Sequence, residues 1–430
     1  MQLGGRLSAA IEILRDMGAR RRPVSDALKD WGLSHRFAGS GDRAAIGNIV
    51  YDVLRKKLSL AWRMESEDPR HLVYAAALQQ AGAPAAKLLP ELGGARFSPE
   101  PLETERLSSW TGRPVSDAPA HVQADLPEWC APLFEAVFGA EWVAEGAALS
   151  GRPPLDLRVN TLKSTPQRAM KELARHGART VALLPTAIRI PPAAGYHRHP
   201  NVQAEAAFQK GWVEVQDLGS QLASAFAAVS PGEQVLDFCA GAGGKTLALA
   251  AAMENRGQIH AYDADRQRLA PIYDRLKRAG ARNVQVHAEA EALSSLEGRM
   301  DLVLVDAPCT GSGTWRRRPD AKWRLGPDQL ADRVEEQHRA LREACRYVRP
   351  GGRLVYITCS LFQPENGKQI SDFLAEDGDF RVIEPAPVWK DVAMNDDAAR
   401  PLFRDHGVVM SPASTGTDGF YCACVRRASN

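Results

Sequence analysis

Two cysteines in this 430-residue chain sit where a nucleophile would be useful. Asp306-Ala-Pro-Cys309 follows the apolar run Leu302-Val-Leu-Val305, and Thr358-Cys359-Ser360 closes the run that begins at Arg353. Both runs read as strands, and an open parallel sheet holds its ligands at the carboxyl ends of strands. Cys309 and Cys359 are therefore expected at one crevice, with Asp306 beside them. A lone cysteine is usually a small buried hydrophobe, and Cys130, Cys239 and Cys345 are read that way. Cys422 and Cys424 share one face of a strand, but a metal would need two more ligands and the sequence suggests none. No metal is expected.

The third candidate is the turn Cys239-Ala-Gly-Ala-Gly-Gly-Lys-Thr246, between an apparent strand and an apparent helix. Glycines let the backbone approach a ligand, and a helix N-terminus offers free N–H groups. Three readings compete. A phosphate-binding P-loop needs Gly-x-x-x-x-Gly-Lys-Ser/Thr, but Cys239 occupies the leading glycine position. A dinucleotide fingerprint needs Gly-x-Gly-x-x-Gly, but Thr246 occupies its third glycine position. S-adenosylmethionine (SAM) is the remaining option and is modestly favoured. Asp263 ends the next strand, where an acid can accept hydrogen bonds from ribose hydroxyls. Asp265 is the better placed of the two to cap the following helix.

Together these residues suit one chemistry. A thiolate is a strong nucleophile even at neutral pH. Carbon 5 of a pyrimidine is not nucleophilic until a thiolate adds to carbon 6, after which it can attack a methyl donor. A carboxyl group at N3 favours the addition, and a base must then remove the carbon-5 proton so that the thiol can leave. Two cysteines and an aspartate beside a SAM-type turn meet these needs.

The elements that must position them fall into three segments. Residues 1–145 read as helical. Leu7, Ala10, Ile11, Leu14 and Met17 recur at helical spacing, and Ile46, Ile49, Val50, Val53, Leu54 and Leu58 form a second stripe with Asp42 as its expected cap. Residues 146–210 suggest a small α/β adaptor, with strands at Leu155–Asn160 and Thr186–Ile190. Between them a helix opens at Thr165-Pro166 and stops at His176-Gly177. Residues 211–430 alternate strands and helices, which implies a doubly wound parallel sheet. Its last strand, Gly419–Val425, follows another strand and is expected to pair antiparallel at the edge.

Composition bounds the partners less sharply. Lys and Arg number 54 against 52 Asp and Glu, so the net charge of +2 neither demands nor excludes nucleic acid. No apolar run approaches the roughly 20 residues that span a bilayer, and no signal peptide is apparent. Seven scattered cysteines suit a reducing cytoplasm. Locally the charge is uneven. Arg316, Arg317, Arg318, Lys322 and Arg324 oppose only Asp320, with Trp315 and Trp323 interleaved. Beside a candidate active site this pattern suggests contact with a nucleic-acid backbone. Arg20, Arg21 and Arg22, by contrast, read as a solvated helix end.

These motifs resemble the RsmB/NOP family of SAM-dependent RNA cytosine-5 methyltransferases. The resemblance covers Leu155 to Arg427. It rests on Leu157-Arg-Val-Asn-Thr-Leu-Lys163, Val215-Gln-Asp-Leu-Gly-Ser-Gln221, Leu236–Thr246, Asp306-Ala-Pro-Cys309, Arg318-Pro-Asp320, Tyr356-Ile-Thr-Cys-Ser360 and Pro364-Glu-Asn366. The helical segment, with Asp42-Arg43 and Tyr51-Asp-Val-Leu-Arg55, resembles the NusB-like RNA-binding domain of the small-subunit methyltransferase B branch. The implied fold is a class I SAM-dependent methyltransferase: a Rossmann-like sheet with its last strand antiparallel, preceded by the adaptor and the all-helical domain. The resemblance makes Cys359 the nucleophile and Cys309 the residue that assists product release. It assigns SAM contacts to Cys239, Ala240, Gly241, Ala242, Gly243, Gly244, Lys245, Asp263 and Asp306. It adds Arg158 and Asn160 to the expected RNA contacts. Two positions depart from the family pattern. Ala242 stands where the family has Pro, and the acid after the third strand is Glu289 rather than Asp. The implied substrate is small-subunit (16S) ribosomal RNA, and the implied protein is a cytoplasmic monomer. A non-catalytic ribosome-assembly factor with a relic methyltransferase fold, or a P-loop NTPase, are the alternatives.

Overall fold

Apolar stripes at helical spacing pack the first part of the chain into a bundle. In the computed structural model, which describes residues 1–81, 96–394 and 399–429, helices run over Leu3–Arg20, Val24–Ser34, Ser40–Arg55, Lys57–Met64 and Pro69–Ala81. Leu7, Ala10, Ile11 and Leu14 meet Ile46, Ile49, Val50 and Val53 in one core. The helix carrying the second stripe starts at Ser40 with Gly39 as its cap. Asp42 is therefore not the cap. It lies in the first turn and accepts a hydrogen bond from Arg6 Nε at 3.0 Å. Arg20 and Arg22 both pair with Asp16, and Arg22 also with Asp30, in keeping with a charged helix end.

The contacts divide the chain into two units. One is Met1–Pro153 with Pro192–His199 and Trp315–Leu325; the other holds the remainder, including the small sheet. The grouping of Trp315–Leu325 with the helical bundle has visible causes. Lys322 is buried, and its ammonium donates to the carbonyls of Asp125 at 2.6 Å and Arg55 at 3.1 Å. Arg55 Nε donates to the Arg316 carbonyl at 2.8 Å, and Trp323 Nε1 to the Leu54 carbonyl at 2.6 Å. Trp315 is buried and stacks on Phe134 at 6.2 Å. Burial pulls the Lys322 ammonium down to about 8, against the attraction of Asp125. Lys322→Met strips the donor from these buried carbonyls. It is expected to cost the helical unit roughly 3 kcal/mol, read as a lower urea midpoint at unchanged slope.

The second unit contains two sheets. Strands β1 (Leu155–Val159), β2 (Arg179–Thr180), β3 (Ala187–Ile190) and β4 (Val213–Val215) form an antiparallel sheet in the order β2-β3-β1-β4. Thr165 caps the intervening helix by accepting from Arg168 N, Pro166 opens it, and Gly177 ends the following turn at φ +69°. The larger sheet begins with β5 (Gln234–Asp237), β6 (Gln258–Tyr262), β7 (Val284–His287), β8 (Met300–Asp306) and β9 (Val348–Thr358). These five are parallel in the order β7-β6-β5-β8-β9. The order reverses between β5 and β8, which opens a ligand crevice at their carboxyl ends.

The sheet continues with β10 (Phe380–Ile383), β11 (Leu402–Arg404), β12 (Gly407–Met410) and β13 (Phe420–Arg427). β13 pairs antiparallel with β9, as expected, but it is not the edge. Its other side carries β12 and β10, and β11 lies beyond β12. Among the described residues no helix is long and apolar enough to cross a membrane, and no group of three metal-ligating side chains occurs.

Candidate active site

β5 ends at Asp237, and the turn that follows reverses into the helix Gly244–Ala252. Gly243 adopts φ +83°, and a Cβ there would lie 2.5 Å from the Ile272 side chain. Only glycine satisfies both conditions. A Cβ at Gly244 would meet nothing within 4 Å, which marks the open side of the turn. Asp263, at the end of β6, is buried. One of its carboxylate oxygens accepts Gly241 N–H at 2.8 Å and the other Asp265 N–H at 2.9 Å. Each oxygen retains a lone pair for a ligand hydroxyl. Asp265 caps the short helix Arg266–Leu269 by accepting from Gln267 N and Arg268 N, as the sequence suggested. Burial pushes Asp237 up to about 7, although Thr246 donates its hydroxyl to it at 2.6 Å. Burial also raises the Cys239 thiol well above its ordinary value.

β8 and β9 run side by side in register from Leu302 and Arg353 to Asp306 and Ile357, so their loops leave the sheet together. The Ala307 N–H donates to the Ile357 carbonyl at 2.9 Å, and the Gly313 N–H to the Cys359 carbonyl at 3.0 Å. The result brings Cys309 Sγ and Cys359 Sγ to 3.3 Å. The hydrogen bond with Cys359, and then burial, raise the Cys309 thiol well above its ordinary value. Lys245 Nζ donates to Asp306 Oδ2 at 2.6 Å. The Lys245 side chain is 8% exposed and that of Asp306 33%, so the carboxylate is the open end of the pair. Burial works against the ammonium, but Asp306 more than offsets it and the Lys245 pKa is raised. Cys309, Cys359, Asp306, Lys245 and the glycine-rich turn thus share the carboxyl edge of one sheet.

The other expected site residues are placed differently. Glu289 is exposed and pairs with Arg266. Arg158 and Asn160 are buried and so are not presented to RNA. Arg158 Nε donates to Gln216 at 2.7 Å, while Asn160 Nδ2 bridges the carbonyls of Gly211 and Ala279 at 2.9 and 2.8 Å. Asn160 thereby joins the small sheet to the helix Ile272–Ala279. Of the five cations at 316–324, Lys322 and Arg316 are buried, Arg317 is half-buried, and Arg318 and Arg324 are exposed. Burial of its ammonium against carbonyls removes Lys322 from the expected backbone contacts.

Two residues were not expected at the site. Arg275 Nη1 donates to the Ala242 carbonyl at 2.7 Å and Nη2 to Glu214 at 3.2 Å, so it ties the glycine-rich turn to β4. Glu365 is fully buried behind the cysteine loops. Arginine spacing carried no signal for the first. For the second, only its presence in the Pro364-Glu-Asn366 motif did.

Comparison with known proteins gives concordant matches. A family model described as 16S rRNA methyltransferase RsmB/F matches residues 225–426, and one for the ferredoxin-like domain of RsmF/B-like methyltransferases matches residues 126–195. Ribosomal RNA small subunit methyltransferase B of Enterobacter sp. strain 638 is 34% identical over 252 residues, 58% of this chain and 57% of that protein. The chain therefore spans less than three fifths of that relative's length. The probable ribosomal RNA small subunit methyltransferase B of Synechocystis sp. is 29% identical over 451 residues, covering 97% of this chain and 98% of that one. Among solved structures, that of PH0851 is similar over 99% of both chains, with a TM-score of 0.73 and 26% identity.

Proposed function

Since the chain belongs to the RsmB/NOP family, we propose that it methylates carbon 5 of a cytosine in RNA, with small-subunit ribosomal RNA as the substrate and SAM as the methyl donor. The observation that carries this reading is the pair of thiols at 3.3 Å beside the Asp306–Lys245 pair. The turn 239–245 and Asp263 fit SAM: an open face at Gly244 and a carboxylate with lone pairs to spare on a buried, immobile arm. SAM supplies an electrophilic methyl group there.

Every other step falls to the chain's own groups and to water. Cys359 adds its thiolate to carbon 6 of the cytosine. N3 takes up a proton from water as the thiolate adds, and Asp306, on the open side of its pair, accepts the resulting N3–H and holds the adduct. Lys245 holds Asp306 in place. Carbon 5, now enamine-like, takes the methyl group. Water takes the carbon-5 proton as the Cys359 thiolate leaves, and Cys309, 3.3 Å away, assists that release by hydrogen-bonding the departing sulfur. Lys245 also bears on the P-loop alternative. The lysine that would neutralise phosphates is instead buried against a carboxylate.

Bisulfite sequencing tests the proposal. Protein-free ribosomal RNA and intact small subunits lacking the modification are incubated with the protein and SAM. Conversion-resistant cytosines are expected only when both protein and SAM are present. Methylation of another base or another ring atom, or none on either substrate, overturns the reading.

A further inference from the structure

Both cysteine loops converge on one buried carboxylate. Glu365, in the turn after β9, accepts Thr310 N–H at 2.7 Å and Gln337 Nε2–H at 3.0 Å on Oε1, and Thr310 Oγ1–H at 2.5 Å and Ser360 Oγ–H on Oε2. Thr310 is the residue after Cys309, and Ser360 the residue after Cys359. Gln337 also donates to the Pro308 carbonyl at 2.8 Å, on the other flank of Cys309. The far side of the Cys359 loop is held in the same network. Ser312 Oγ lies 3.0 Å from Ser360 Oγ and accepts Leu361 N–H at 2.8 Å. Tyr356 donates its hydroxyl to the Glu365 carbonyl at 2.6 Å, which anchors the clamp to β9 itself.

Four donors converge on Glu365, which serves as their shared acceptor. Burial raises its pKa, and the hydrogen bonds from Ser360 and Thr310 oppose that shift. Hydrogen bonds to a carboxylate are short and about twice as strong as neutral ones. None of them reaches a sulfur atom. What they fix is the backbone on both sides of the crevice.

We infer that Glu365 is a positioning residue that sets the separation of the Cys309 and Cys359 thiols by clamping the two loops that carry them. The inference rests on the two-cysteine reading of the site and adds the group that maintains its geometry. A loop moved by even an ångström takes a catalytic group out of reach. Alanine at position 365 removes the acceptor that the four donors share and frees the loops. Glutamine keeps an acceptor for Thr310 N and Gln337 but meets the two hydroxyls with an amide N–H group, and it loses the charge.

Thiol geometry can be read without reference to catalysis. Treatment of the full-length protein with diamide converts two adjacent thiols to a disulfide, with two electrons and two protons passing to the diazene. The Cys309–Cys359 peptide is then quantified by mass spectrometry. Glu365→Ala is expected to slow this cross-link by about tenfold and lower kcat by about a hundredfold, with SAM affinity and KM for RNA within about twofold of wild type. Glu365→Gln is expected to fall between, and it carries the test if the alanine variant does not fold. Wild-type cross-linking and kcat in a variant that binds SAM normally overturn the positioning role. Transfer by Cys359→Ala overturns the nucleophile reading instead, and the two failures are thereby distinguished.

Discussion

Cys359→Ala lowers methyl transfer to RNA by at least about a thousandfold and leaves SAM binding intact, whereas Cys309→Ala accumulates a covalent RNA–protein adduct. The asymmetry follows from the roles that the family resemblance gives the two sulfurs, which lie 3.3 Å apart. Cys359 makes the bond to carbon 6, and alanine there removes the reaction's first step. Cys309 is needed only once the methyl group is in place. Without it, departure of the Cys359 sulfur stalls, and the ring stays bonded to Cys359 with its methyl group already attached. The adduct is expected as an RNA-shifted band that survives denaturation, depends on SAM, and maps to a Cys359 peptide. An adduct in Cys359→Ala, mapping to Cys309, would reverse the roles. Failure of both variants to form any adduct would remove the covalent mechanism.

The sequence made this site visible because its chemistry is local. Each cysteine lies within a few residues of a strand end, and strand ends are read from short apolar runs. The same locality made the Thr165 cap and the assignment of Asp265 legible. What escaped was whatever depends on a partner far along the chain. Lys322 has the composition of an RNA-facing cation, but its acceptors are the carbonyls of Arg55 and Asp125, some 200 or more residues away. A basic, tryptophan-bearing segment looks alike whether it meets a phosphate or a helix bundle. Asn160 reads as a polar residue at a strand end until Gly211 and Ala279 are brought to it.

The hairpin of β11 and β12 escaped for a different reason. Its turn is built on Asp405 and His406 at φ +48° and +69°, left-handed positions where glycine is the usual sign. With that hairpin unseen, β13 was taken for an edge. Glu365 lay within a motif but gave no clue to its role, because a buried acid is identified by its donors and these come from Thr310, Gln337 and Ser360.

Asp306→Asn separates the two functions of the Asp306–Lys245 pair, and it is expected to lower kcat by about a hundred- to a thousandfold. Asparagine preserves the shape of the side chain but can neither place a carboxylate at N3 nor neutralise the lysine. The consequence for Lys245 has a definite sign. In the wild type its folded pKa lies above the ordinary lysine value, so the stability it contributes is fully present through neutral pH and is lost only as the pH rises through that raised value. In the variant burial acts without its largest counterweight, and the folded pKa drops below the unfolded one. The unfolded chain then binds more protons over that window, so the variant's stability rises with pH where the wild type's does not. Melting temperatures should therefore differ most at neutral pH and converge only as the pH rises past the ordinary lysine value. The alkaline limb of the variant's residual activity should move to lower pH, because the lysine now discharges earlier. A stability gap that stays constant across this range would mean that Asp306 does not govern the charge of Lys245. Near wild-type kcat at neutral pH would remove Asp306 from the addition step.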